Sequence, residues 1–248
     1  GRPGREAFRK YVPELKKEHN IDVVVVNGEN IAGGRGISRK TLDEIYRAGA
    51  DIVTSGNHIW DQKEIVSFID DEPFLIRPAN YPEGAPGKGY CIYPFKAKNI
   101  GVINVSGRTF MPPMDCPFQK VDEILKEIKN QCDIILVDIH AEATSEKIAM
   151  GFYLDGKVTC VVGTHTHVQT ADNRILPKGT AYISDLGMVG PYNSSLGINV
   201  NNAIDKFITC RPVRFEMAEG PNIFSAVVLE LAEDNSVKSF ERILFNEE

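Results

Sequence analysis

No stretch of this 248-residue chain stays apolar for longer than a strand. The longest unbroken runs, such as Val23 to Val26, fall far short of the roughly 20 residues that a membrane-spanning helix needs. With a mean hydropathy of -0.20, a membrane partner is not expected. Positive charge is also scarce, at 28 Lys and Arg against 34 Asp and Glu. A net charge of -6 and a pI near 5.5 disfavour duplex DNA as a partner. The five cysteines (Cys91, Cys116, Cys132, Cys160, Cys210) are odd in number and scattered without a Cys-x-x-Cys, which indicates neither a disulfide framework nor a thiolate zinc knuckle. No Gly-x-Ser-x-Gly elbow occurs and no cysteine has a local activating cue, so nucleophilic hydrolases are disfavoured. Gly87-Lys88-Gly89 lacks the spacing and Ser/Thr of a P-loop, and His140-Ala141-Glu142 lacks the Pro-Cys-x-x-Cys that completes a zinc deaminase site. No basic segment followed by an apolar one opens the chain, and a cytoplasmic location is the expectation.

What remains is a globular composition, 42% hydrophobic and 25% charged, at a length that suits a single domain over residues 1–248. Amphipathic stretches alternate with Val- and Ile-rich runs, the pattern of an α/β fold. Helical spacing is found over 5–17, 39–47, 118–129 and 200–208. Strands are expected over 22–26, 51–54, 100–105, 133–139, 158–162 and 180–183, with a closing hairpin of 226–231 and 237–244 around Asp234-Asn235-Ser236. The Pro- and Gly-rich segment from Pro73 to Gly89 reads as a long irregular loop.

Several strands run directly into residues of metal-ligand type. Val26 leads to Asn27-Gly28-Glu29-Asn30, Thr54 to Ser55-Gly56-Asn57-His58, Ile139 to His140, and Val162 to Gly163-Thr164-His165-Thr166-His167. In open α/β sheets the ligand crevice lies at the carboxyl ends of strands, so these tips can converge. Four of the five histidines sit at such tips. The donor set of imidazoles, a carboxylate and amide oxygens suits Fe, Mn or Zn at a catalytic centre. His165 and His167, two apart, would face the same side of an extended stretch. Glu29 is the natural bridge between two ions, Asn57 a ligand, and the adjacent His58 an acid. Turn chemistry alone accounts equally well for Asn27 and Gly56.

Other features carry less. Gly33-Gly34-Arg35-Gly36 reads as a mobile surface loop, Thr144-Ser145-Glu146 as a helix N-cap, and Glu142 as support for a ligand. Arg77, Arg108 and Arg174 are candidates to meet an anionic substrate.

Asn27-Gly28-Glu29-Asn30, Gly56-Asn57-His58-x-Trp60-Asp61, Asp138-x-His140-Ala141-Glu142 and Gly163-Thr164-His165-Thr166-His167-Val168 resemble the calcineurin-like metallophosphoesterases, in particular their bacterial YmdB-like branch. Arg77-Pro78-Ala79-Asn80, Gly107-Arg108-Thr109-Phe110 and the segment from Thr170 to Thr180 are similar to the same branch. The resemblance implies two packed mixed β-sheets flanked by helices in a four-layer sandwich, and a di-metal centre with Fe or Mn favoured. It also implies phosphodiesterase activity toward 2′,3′- or 3′,5′-cyclic nucleotides, with a metal-bound hydroxide as attacking group. Carried onto matching positions, Glu29 would bridge, Asn30 and His167 would complete one ion's shell, Asn57, His140 and His165 would hold the other, and His58 would be the general acid. The family begins with an apolar strand ending in Gly-Asp-Val, whose Asp is a ligand. The expectation is that this strand precedes Gly1 and that without it one ion is held more weakly. A metal-dependent phosphomonoesterase, or a non-catalytic nucleotide- or partner-binding protein on the same fold, remains an alternative, and a homo-oligomer is left open.

Overall fold

The computed structural model describes residues 1–247. Helix α1 (Arg2–Glu18) carries Pro3 in its first turn, where no intrahelical N–H is needed, and turns Ala7, Phe8 and Val12 inward. Helix α2 (Arg39–Arg47) starts at a reciprocal cap in which the Thr41 amide donates to the Ser38 hydroxyl and the Ser38 amide to that of Thr41. Helices α3 (Pro117–Ile128), α4 (Thr144–Leu154) and α5 (Val200–Thr209) follow.

Strands β1 (Val25–Asn27) and β2 (Ile52–Thr54) form a parallel pair. Strands β3 (Tyr90–Phe95), β4 (Lys98–Ser106), β5 (Ile134–His140), β6 (Cys160–Thr164), β7 (Arg174–Ile175) and β8 (Ala181–Ile183) form a mixed sheet in the order β3-β4-β5-β6-β8-β7. Its four central strands are parallel and its two edges antiparallel. Strands β9 (Gly190–Pro191), β10 (Asn222–Leu231) and β11 (Val237–Asn246) make an antiparallel group.

The period-2 alternation of β4 and β5 assigns the layers. Ile103, Val105, Ile135, Val137 and Ile139 pack against Val121, Ile124, Leu125 and Ile128 of α3 and Met150 and Leu154 of α4. Ile100, Val102 and Leu136 point the other way: Ile100 and Val102 meet Val25 of β1 and Ile52 of β2, while farther along the sheet Cys160, Ala181 and Ile183 pack with Val227, Leu229 and Phe240 of β10 and β11. Outside that second layer lie Phe8 and Val12 of α1 with Leu42 and Ile45 of α2. The four layers are those expected, except that the second is in two pieces. Between β1 and β10 runs an apolar slot of about 700 Å³, floored by Ile100, Val102, Leu136 and Val162 and ending at Asp138.

One local expectation is corrected, and two segments show more than the sequence pattern indicated. α4 begins after Ala143, with no side chain capping it, and Glu146 instead accepts hydrogen bonds from the Arg108 and Thr109 amides. The segment Tyr90–Phe95 is a strand, and it tolerates Pro94 because it is a sheet edge. The turn over 33–36 lies at the surface with Gly33 and Arg35 exposed, and only its end is anchored: Gly36 is buried, with a positive φ of 73°, against the backbone of His58 and Gln62.

Leu154, fully enclosed at the end of α4, provides a test of the outer helical layer. Leu154→Ala is expected to cost about 2–5 kcal/mol, measured by denaturant unfolding, because the packed sheet beneath it can only partly collapse onto the cavity.

Candidate metal centre

The tips of β1, β2, β5 and β6 end side by side. Parallel register sets Asn27 opposite Thr54, and His140 opposite both Ser106 and Thr164. Asn27 does not face the cluster as a ligand. Its amide donates to Ser55 O at 3.1 Å and to Asp138 Oδ2 at 3.0 Å, and its oxygen accepts from the Glu29 amide at 3.1 Å. This short turn aims the Glu29 carboxylate at the tip of β5.

Four acceptor-bearing side chains then meet. His140 Nε2 lies 3.1 Å from Glu29 Oε1, 3.0 Å from Asn57 Oδ1 and 3.1 Å from His165 Nδ1. Ligand atoms of Glu29, His140 and His165 all fall within 4.8 Å of one another. Behind His140, Nδ1 is 2.9 Å from the Thr164 hydroxyl, which donates to Asp138 Oδ1 at 2.7 Å. That chain makes Nδ1 the protonated nitrogen and leaves the Nε2 lone pair facing the other acceptors. Lone pairs directed at one point repel unless a proton or a cation sits among them. Burial pushes the Glu29 carboxyl up, but positive charge on the His140 side, as when a proton sits between the two groups, and the His58 backbone amide outweigh it and hold the carboxyl at about 2. Burial and the neighbouring His140 push His165 down to about 4, and burial likewise lowers His167, so both present neutral imidazoles able to ligate. The donor set fits divalent transition-metal ions.

A second group lies beside the first. Asn30 Nδ2 is 3.3 Å from His167 Nε2 and 3.5 Å from Glu29 Oε2, so the two Glu29 oxygens face different neighbours, as a bridging carboxylate requires. The expectation that His165 and His167 share one face of an extended stretch is overturned. Strand β6 ends at Thr164, and the two histidines have φ of 100° and 68°. The turn sends His165 to His140 and His167 to Asn30.

His58 stands outside the cluster. Its amide donates to Glu29 Oε1 at 2.9 Å, while its ring, partly exposed, holds Asp61 Oδ2 through Nδ1 at 3.0 Å and leaves Nε2 available. Glu142 reaches His165 Nε2 at 3.1 Å. Of the three arginines, Arg77 is buried and spends its guanidinium on the carbonyls of Pro78, Ala85 and Pro86, so it cannot meet a substrate. Thr164 and Asp61 lie inside the motifs quoted above, where nothing distinguishes their roles. Their roles depend on a register 24 residues apart and on a turn that closes only in the fold.

The family model described as YmdB-like protein matches residues 1–243. A 2′,3′-cyclic-nucleotide 2′-phosphodiesterase of Bacillus subtilis (strain 168) is 52% identical over 250 residues, spanning 100% of this chain and 94% of its own length. Among solved structures, a hypothetical protein from Thermus thermophilus superposes with a TM-score of 0.94 at 40% identity, covering 99% of this chain and 95% of the other. A novel phosphatase from Mycoplasma pneumoniae does so with a TM-score of 0.93 at 35% identity, covering 99% and 90%.

Gly56 allows the closest approach in the site, since a Cβ there would overlap the imidazole of His140. Gly56→Ala is therefore expected to displace the ring and to lower retained metal, with far-ultraviolet circular dichroism unchanged. Elemental analysis of the purified variant beside wild type measures this.

Proposed function

This chain belongs to the YmdB-like protein family, and on that premise we propose that it is a metal-dependent phosphodiesterase acting on cyclic nucleotides, with 2′,3′-cyclic nucleotides favoured by the activity of the Bacillus subtilis relative. The observation that carries this reading is the convergence of Glu29, Asn57, His140 and His165 acceptors on one point, with His58 and its Asp61 partner alongside. Glu29 would bridge two ions, Asn30 and His167 would complete one shell, and Asn57, His140 and His165 the other. Such ions, when bound, neutralise phosphate charge and acidify water.

The remaining chemistry belongs to the side chains. Water adds to phosphorus while the bond from phosphorus to the 2′ oxygen breaks, and a proton must reach that departing oxygen. His58 is suited to give it. Its Nδ1 is anchored on Asp61, which fixes the ring orientation for transfer from Nε2. A 3′-monophosphate is the product of that opening.

His140→Ala is expected to lose bound metal and hydrolysis of a cyclic-nucleotide panel together, while remaining folded. Unchanged metal content by plasma emission would remove His140 from the ligand set. His58→Ala is expected to retain metal and slow turnover by about 10²–10⁴, with a smaller loss on an aryl phosphodiester, whose leaving group scarcely needs protonation. Equal losses on alkyl and aryl esters would assign the proton to another donor.

A further inference from the structure

The segment His165-Thr166-His167 holds two proposed ligands on left-handed backbone, which residues other than glycine adopt only where their surroundings impose it. The imposing structure lies directly beneath. Lys147 of α4 and Asp185, just beyond β8, form an ion pair at 2.7 Å with side chains 2% and 1% exposed. Asp185 Oδ2 also accepts the Thr166 amide at 3.0 Å and the Thr166 hydroxyl at 2.7 Å, and Lys147 Nζ lies 3.3 Å from that hydroxyl. On the far side of His167, the Thr170 amide donates to the Asp185 carbonyl at 3.1 Å and the Asp185 amide to the Thr170 hydroxyl at 3.0 Å. Both flanks of His167 are thus fastened to one residue.

Resting on the metal-centre reading, we infer that Lys147 and Asp185 are positioning residues: their buried pair grips Thr166 from below and turns His165 and His167 outward, each toward its own ion. Neither residue touches the cluster. Stability by itself does not explain the pair, because apolar residues of similar volume in place of a buried ion pair are often as stable or more so. Its directed hydrogen bonds to the Thr166 amide and hydroxyl are what such residues could not supply. The approach of Lys147 is itself built. A Cβ at Gly163 would lie 2.9 Å from the Lys147 side chain and would overlap the Ser184 carbonyl, so the absent side chain admits the lysine and the neighbouring strand together. Asp185 Oδ1 is occupied by the Gly187 amide at 2.8 Å, which fixes the carboxylate plane.

The test compares Lys147→Met/Asp185→Leu, Thr166→Ala and Thr166→Ser with wild type. Three readouts are taken: thermal unfolding, Mn²⁺ titration by calorimetry, and, without metal, the nuclear Overhauser contact between the His165 and His140 rings. The double variant is expected to unfold near the wild-type temperature yet bind Mn²⁺ about 10–100-fold more weakly, the usual effect of removing groups that orient metal ligands. Thr166→Ala should weaken binding about tenfold and Thr166→Ser return it to within about twofold, because serine restores the hydroxyl. Loss of the ring contact should follow the same order. Should the double variant fail to fold, the two Thr166 variants decide alone. Unchanged Mn²⁺ affinity and ring contact in Thr166→Ala, or no recovery in Thr166→Ser, overturns the positioning role. A wild-type protein that takes up no Mn²⁺ overturns the metal-centre reading instead, and the ring contact then still judges the grip on the turn.

Discussion

Asp138 is the point through which the site is assembled. Enclosed at the end of β5, it accepts from Asn27 of β1 at 3.0 Å, Thr54 of β2 at 2.6 Å and Thr164 of β6 at 2.7 Å. Burial pushes its carboxyl up, and the hydrogen bonds from these three donors pull against that. The bonds cross from one β layer to the other, so a single buried carboxylate fixes the relative height of four strand tips. A carboxylate so placed is tolerable only with its acceptor capacity filled, and the filling is what aligns the strands.

From that alignment the chemistry of the cluster follows. Thr164, held by Asp138, sets the tautomer of His140, and Asn27, held by the same group, turns Glu29 toward the ring. The result is a set of acceptors with few donors among them, an arrangement unfavourable in a sealed core and favourable around a cation. The close contacts depend on missing side chains as much as on present ones: Gly56 admits the His140 ring, and Gly163 admits Lys147. The unfavourable backbone at His165 and His167 is sustained by ordinary hydrogen bonds one layer below.

The sequence made much of this legible. The helix over 39–47 has the bounds its periodicity indicates, and the paired runs near the end form the hairpin, because both signals are local. Glu29, Asn30, Asn57, His140, His165 and His167 stand together, as residues at strand tips should in an open α/β fold. Arg77 looked like an anion contact from its loop context, yet the proline-rich segment from Pro82 to Pro86 folds back to take its guanidinium. The strand at Tyr90–Phe95 was hidden by Pro94, which only an edge position excuses.

Composition, strand periodicity and donor type at the strand ends were determined by the sequence alone, since each rests on residues near one another in the chain. Which nitrogen of His140 carries the proton, which way His165 and His167 part, and that Lys147 and Asp185 meet beneath them were decided by tertiary structure. Lys147 and Asp185 are 38 residues apart, and in the chain each resembles an ordinary surface charge. Only the packing of α4 over β6 and β8 takes both out of water, where a charge has to find its partner and the directions of its bonds become part of the site.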